Sequence, residues 1–217
     1  MTNKKRENAV RNLVTLYTVI IGAALSLAVK TLVGENNGLD GVSASSALVF
    51  AAFIFMLIPF YHGALRHLDD AYIESDRQIK DPALMLDFFL LFLHGIVFVF
   101  LSLLLKSPSN FAWLLVGVLA IDVVWGAFVG FFGSSTQTLV DGEAKKPVSA
   151  ESRWAIINAL FIAIVVMYLF EHDVSLAPAQ EPLKLSVMLA CACFVRSLID
   201  YWWCSRFYFP STASVTQ

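Results

Sequence analysis

Eight side chains able to hold charge or strong hydrogen bonds stand inside long apolar runs: His62, Arg66, Asp87, His94, Asp122, Asn158, Arg196 and Asp200. A charge in hydrocarbon costs at least about 2.5–3.5 kcal/mol, so such residues face protein or water and mark ion pathways, relays or buried pairs. Their spacing groups them. His62, Arg66 and Asp69 or Asp70 fall on one face of a helix, Asp87 and His94 are seven apart, and Arg196 and Asp200 are four apart. Arg196 is expected to pair with Asp200 or Asp122 first and Asp87 next. The sequence predicts that the eight residues line an ion or solute pathway.

The elements that must hold them follow from composition. Of 217 residues, 58% are apolar and 15% charged, against about 25% charged in soluble domains. A fold of this size leaves too much surface exposed to hide that apolar content in water. Six runs approach the roughly 20 apolar residues that a bilayer-crossing helix needs, at 12–33, 46–68, 83–105, 110–132, 153–170 and 184–205. Asp81-Pro82, Ser107-Pro108 and Glu181-Pro182 read as helix starts before the third, fourth and sixth. The predicted fold is therefore an all-α integral membrane protein, one domain over 1–217 with no separate soluble part. The connection at 106–109 is so short that spans three and four are expected to form a tight antiparallel hairpin.

Basic residues set the expected orientation. With both termini in the cytoplasm, inner segments hold eleven Lys and Arg and outer segments only Lys30, Lys106 and Lys184, as the positive-inside rule requires. A cleaved signal peptide is not expected, and the expected location is a bacterial cytoplasmic membrane. On these spans His94, Asp122 and Arg196 fall near mid-membrane, and His62, Asp87, Asn158 and Asp200 lie roughly 5–10 Å to the cytoplasmic side at about 1.5 Å per residue. Apart from Lys30 and Lys184 at the span ends, the outer half holds no ionisable residue.

Several smaller features accompany the cluster. Pro59 removes a backbone hydrogen bond and frees the Phe55 carbonyl, so Pro59 and Gly63 form a candidate hinge that would let the inner part of span two swing. Gly126, Gly130 and Gly133 make a small-residue packing stripe, and Gly22 with Ser26 makes another. Both stripes are candidate faces for a homo-oligomer. Arg-x-Leu-x-Asp occurs at Arg66 and Arg196, and Asp-x-x-aromatic recurs at Asp69, Asp122 and Asp200, a weak three-hairpin repeat. Cys191 and Cys193 read as small hydrophobes.

Other chemistries lack their signatures. There is no Gly-x-Ser-x-Gly, no His-Glu-x-x-His, no His-x-x-x-His and no potassium-filter sequence. The acidic segment with Asp69, Asp70, Glu74, Asp76 and Asp81 reads as a solvated loop. No enzyme activity, cofactor, metal or nucleic-acid partner is expected. The leading expectation is a channel or simple transporter for an ion or small solute, with a cavity open to the cytoplasm. The alternatives are a non-transporting subunit or effector pore (for instance in antiviral defence) answering a cytosolic partner or small signalling ligand, and a lipid-modifying enzyme using Asp87, Asp122 and Asp200.

Overall fold

A computed structural model describes residues 3–34, 41–73, 81–132, 150–172, 174 and 182–210. The elements are α1 (Asn3–Val33), α2 (Ala44–Leu68) with a π-helical extension Asp69–Ile73, α3 (Asp81–Leu103), α4 (Pro108–Phe132), α5 (Ala150–Glu171), α6 (Pro182–Trp203) and a short α7 (Ser205–Tyr208). The first six are each long and apolar enough to cross a bilayer, with mean hydropathy between 1.7 and 2.5. The protein is an integral membrane protein of helices only, among the described residues. Large apolar side chains such as Val124, Met167 and Phe170 are exposed on the bundle's outside, a surface that lipid covers.

Local signals place the helix ends. Pro108 and Pro182 are first helical residues, where a missing N–H costs nothing. At α2 the Ser43 hydroxyl accepts from Ser46 N at 3.1 Å, an N-cap. The sequence boundaries agree to within about three residues, except that α1 extends back to Asn3.

Contacts sort the two ends of the bundle. Ser45 Oγ of α2 meets Ser186 Oγ of α6 at 2.7 Å, so these helices start together. At the opposite end Arg153 of α5 donates to the Trp203 carbonyl at 2.7 Å. We call these the Ser45 end and the Tyr208 end.

The most extensive pairings are α2 with α6, α4 with α5, and α1 with α3. This corrects the expected tight hairpin of spans three and four. The turn after Leu103 brings the helix ends together, but α3 runs along α1, and α3 and α4 touch little. A short loop fixes adjacency of two ends, whereas side chains along the helices fix which axes lie close. At Gly95 of α3 a Cβ would stand 2.7 Å from Ile20 Cγ2 of α1, and at Gly126 of α4 a Cβ would stand 2.8 Å from the Glu151 carbonyl oxygen of α5. Those two glycines allow the α1–α3 and α4–α5 approaches. The α2–α6 seam uses Ser186, Ala190, Cys193 and Ser197, all buried at helical spacing.

Gly126 therefore packs within the protomer, so at this residue the α4 stripe is not an open face for assembly. Gly130 lies in α4, and Gly133 lies outside the described residues. Gly22 and Ser26 are exposed, with open space beside Gly22.

The carbonyl that Pro59 frees is taken up. Ser197 Oγ of α6 donates to Phe55 O at 2.5 Å and lies 2.9 Å from the Cys193 carbonyl of its own helix. Gly63 sits inside continuous helix, where an added Cβ would lie 3.2 Å from the Tyr208 hydroxyl and 3.5 Å from the Trp154 ring. Gly63 makes room for those two side chains.

Candidate functional site

Four of the eight sequence candidates form one buried chain across α4, α5 and α6. Asn158, fully buried, donates from its amide to Asp122 Oδ2. Its carbonyl oxygen accepts from Arg196 Nε at 3.0 Å and Nη2 at 2.8 Å. Arg196 Nη1 completes the fork on Asp200 Oδ2 at 3.1 Å, an i, i+4 pair within α6. The guanidinium also lies over the Phe60 ring, 5.3 Å from its centroid, a cation–π contact with α2. Arg196 thus pairs with Asp200 directly and reaches Asp122 only through Asn158. It does not pair with Asp87.

Asp87 belongs to a second cluster, built around a histidine outside the sequence candidates. His67 Nε2 lies 3.1 Å from Asp87 Oδ2 of α3, and its Nδ1 lies 3.4 Å from Glu151 Oε1 of α5. Both nitrogens can donate to these carboxylates only when the ring carries two protons. Tyr72, on the π-helical extension, donates to Asp87 Oδ2 at 2.6 Å. Trp125 of α4 closes the side, its ring centroid 5.0 Å from that of His67.

His62 and Arg66 lie on another face of α2 and hold the C-terminal segment. Past Trp203, Cys204 N still donates to the Asp200 carbonyl at 2.8 Å, and the short α7 follows. Arg66 Nε donates to the Phe207 carbonyl at 2.9 Å, and His62 Nδ1 lies 3.2 Å from the Tyr201 hydroxyl. The His62 and Tyr208 ring centroids are 4.8 Å apart. This hook delivers the Tyr208 hydroxyl to Asp200, where it donates toward both carboxylate oxygens at 3.2 Å each. Burial, and then the Asp200 charge, raise the pKa of the Tyr208 hydroxyl, so it remains a donor. The same two causes push the Cys204 thiol up to about 12, leaving it protonated and unreactive near neutrality.

Between the clusters lies a cavity of about 60 Å³. Its wall includes His67, Asp87, His94, Asp122, Arg196 and Asp200, with rings of Tyr17, Phe60, Trp125, Trp154 and Tyr208 around them. His94 is buried, meets the Phe60 ring edge-on at 5.7 Å, and has no partner for Nε2. Asn158 stands behind the wall. His62 and Arg66 are not on it.

The residues that sequence reasoning missed had uneven signals. Tyr17 lies on a buried stripe of α1 with Val10, Leu13, Ile21, Ala24 and Ala28, a spacing of three and four visible in the sequence. His67 follows Phe60 and Gly63 at i+7 and i+4, a cavity-facing set distinct from the His62–Arg66 face of the same helix. Tyr208 had no signal, because nothing in the spacing after Trp203 announces that this segment is held against α2.

These features define a membrane protein that has, among the described residues, six helices of spanning length and a polar cavity between two ionic clusters. No family model, curated protein or solved structure matches the chain, so its functional reading rests on this geometry.

Proposed function

We propose that the protein is a channel or simple transporter that passes an ion or small solute through the cavity. The observation that carries the reading is the position of two ionic clusters beside one cavity within the bundle. Toward the Ser45 end the buried side chains are uncharged, a few serines among large apolar groups such as Phe53, Phe98, Leu101, Leu115, Leu119 and Leu189. Packed apolar side chains of this kind close a pore by excluding water, so the described conformation is the shut one. The Tyr208 end faces the cytoplasm in this proposal, with both termini inside, because the segments there hold most of the Lys and Arg. The same reading takes the membrane to be a bacterial inner membrane and keeps the three-hairpin duplication as the origin of the Arg-x-Leu-x-Asp elements. It places self-association on the Gly22 and Ser26 face of α1.

The test is purified protein in liposomes, assayed for movement of protons, monovalent cations and chloride. Passage of any of these above protein-free vesicles supports the proposal, and vesicles tight to all of them overturn it. Labelling of single cysteines at Lys5 and Lys106 tests orientation, with Lys106 expected on the outside.

A second reading, a non-transporting subunit or effector pore answering a cytosolic partner or signal, is favoured by the engagement of Arg196, whose Nε, Nη1 and Nη2 all donate within the protein. Copurification of a cytosolic protein with tight vesicles would select it.

A further inference from the structure

The cavity wall contains polar atoms that the protein itself does not satisfy. Tyr17 Oη of α1, His94 Nε2 of α3, Trp125 Nε1 of α4 and Trp154 Nε1 of α5 are buried, belong to wall residues, and have no hydrogen-bond partner. The residues of the first two are almost fully buried, with 1% and 6% exposure. Leaving such a group unpaired costs about 1–3 kcal/mol, so four around one space describe what belongs there. An indole N–H only donates, a tyrosine hydroxyl both donates and accepts, and a neutral imidazole accepts at one nitrogen. The occupant must therefore accept from Trp125 and donate to His94 or to a carboxylate.

An ammonium-type cation cannot accept from the indole. An anion could take all four groups as donors, but it would sit among Asp87, Asp122 and Asp200, with Glu151 behind His67. Arg196 and His67 at most balance part of that charge. A hard metal ion such as calcium wants six or more oxygens, by about the usual coordination count. The carboxylates here are already engaged, Asp200 by Arg196 and Tyr208, Asp87 by His67 and Tyr72. Water meets every requirement. At about 10–15 Å³ of such space per molecule, the cavity takes only a few.

Resting on the transport reading above, we infer that the cavity holds a short chain of water molecules and that the species relayed through it is the proton, between Asp122 and the Asp87–His67 pair. A hydronium gives its proton to an Asp122 carboxylate oxygen, forming one O–H bond as another breaks. The resulting acid returns a proton to the next water, which passes it toward Asp87. No electron moves and no co-reactant is used. His94, Tyr17 and Trp125 orient the waters between the two carboxylates. Arg196 and Asp200, with Tyr208 on Asp200, supply the fixed field beside Asp122.

The test uses the full-length protein in liposomes holding a fluorescent pH indicator, with a potassium diffusion potential, negative inside, as the driving force. Parallel vesicles report sodium and chloride. Proton influx above protein-free vesicles is expected, with sodium and chloride at background. Asp122→Asn keeps the shape beside Asn158 and should bring proton influx to background. Ala64→Phe fills the cavity while leaving every titratable group, and should do the same. Trp125→Phe, which removes one N–H and keeps the ring's packing, should slow it, and it serves where either other variant fails to elute as folded protein. Sodium or chloride flux without proton flux overturns the relay and leaves the transport reading standing. Vesicles tight to all three ions overturn both. Proton flux unchanged in the variants that elute as folded protein overturns this cavity as the route.

Discussion

Around Phe53 of α2 the interior is built from rings and branched chains, with Phe98 edge-on at 6.1 Å and Leu101 and Leu115 fully buried nearby in the same core. About four turns further along the same helix, His67 sits between two carboxylates, and Tyr208 and Trp154 crowd Gly63. In lipid these two regions hold together by different forces. Apolar side chains gain little by leaving hydrocarbon for a protein interior, so the Ser45 half relies on close packing. The Tyr208 half relies on directional hydrogen bonds between charged groups, each of which becomes a liability when its partner goes. The first arrangement degrades gradually under substitution, whereas the second fails at particular residues.

The largest expected effect follows from that contrast. Arg196→Ala removes three donors at once and leaves Asp200 and the Asn158–Asp122 pair facing an uncompensated site, which should cost about 3–5 kcal/mol. Thermal unfolding in mild detergent measures the loss, and a double-mutant cycle with Asp200→Asn should show strong coupling. An Arg196→Ala protein as stable as wild type would break the comparison. A lysine at 196 should recover little, since one ammonium cannot hold both the Asn158 carbonyl and Asp200 in the observed fork.

Truncation in the apolar half comes next. Leu119→Ala leaves a cavity where Leu119 is now fully buried. In water such a change costs about 2–5 kcal/mol, part of it from transfer. With lipid as the surrounding medium the transfer part shrinks, so the lower end of that range is expected in the same unfolding assay. A loss equal to that of Arg196→Ala would show that packing alone sets stability in both halves.

The difference between the halves also explains what the sequence disclosed. Hydropathy is a local property, so the six spans could be read directly, and Pro108 and Pro182 marked their starts. That Asp122, Arg196 and His94 share one level was readable because the rise per residue is fixed, and all three line the cavity. The Arg196–Asp200 pair was readable because both groups lie on one helix. What could not be read was rotation of one helix about its axis relative to another. Asn158 meets Arg196 only because α5 turns that face toward α6. In α2, polar residues occupy two faces about 100° apart, and nothing local says that His67 turns to the cavity while His62 and Arg66 grip the hook. The tight hairpin expected of spans three and four failed for the same reason, since its evidence came from a loop and the pairing is decided at Gly95.

Glycine contacts sharpen the comparison at a smaller scale. Gly126→Ala places a methyl 2.8 Å from the Glu151 carbonyl oxygen, too close without separation of α4 and α5. About 1–3 kcal/mol is expected for such overpacking, together with a shift of Glu151 relative to His67. Gly22→Ala meets nothing within 4 Å and should change monomer stability by less than about 0.5 kcal/mol. Measuring both variants by unfolding, and Gly22→Leu by mass in native nanodiscs, separates packing inside the protomer from association between copies. A loss of higher-order mass in Gly22→Leu alone would place the contact on α1.

A small effect of a different kind tests the joint between the two halves. Ser197→Ala removes the hydroxyl that answers the Phe55 carbonyl freed by Pro59, and an unpaired buried acceptor costs about 1–3 kcal/mol. Relief comes from a backbone adjustment at the proline break, so a loss near 1 kcal/mol is expected on that scale. The same variant decides between a static kink and a hinge. If the kink is static, Ser197→Ala lowers stability and leaves amide exchange unchanged in α2 beyond Gly63. If Pro59 and Gly63 form a hinge that Ser197 restrains, exchange should quicken from His62 through Tyr72, carrying His67 with it, while the Phe53 region stays protected. Hydrogen exchange by mass spectrometry in nanodiscs reads the two segments separately. The tie at Phe55, with α2 packed along α6 on both sides of it, leads us to expect the static result.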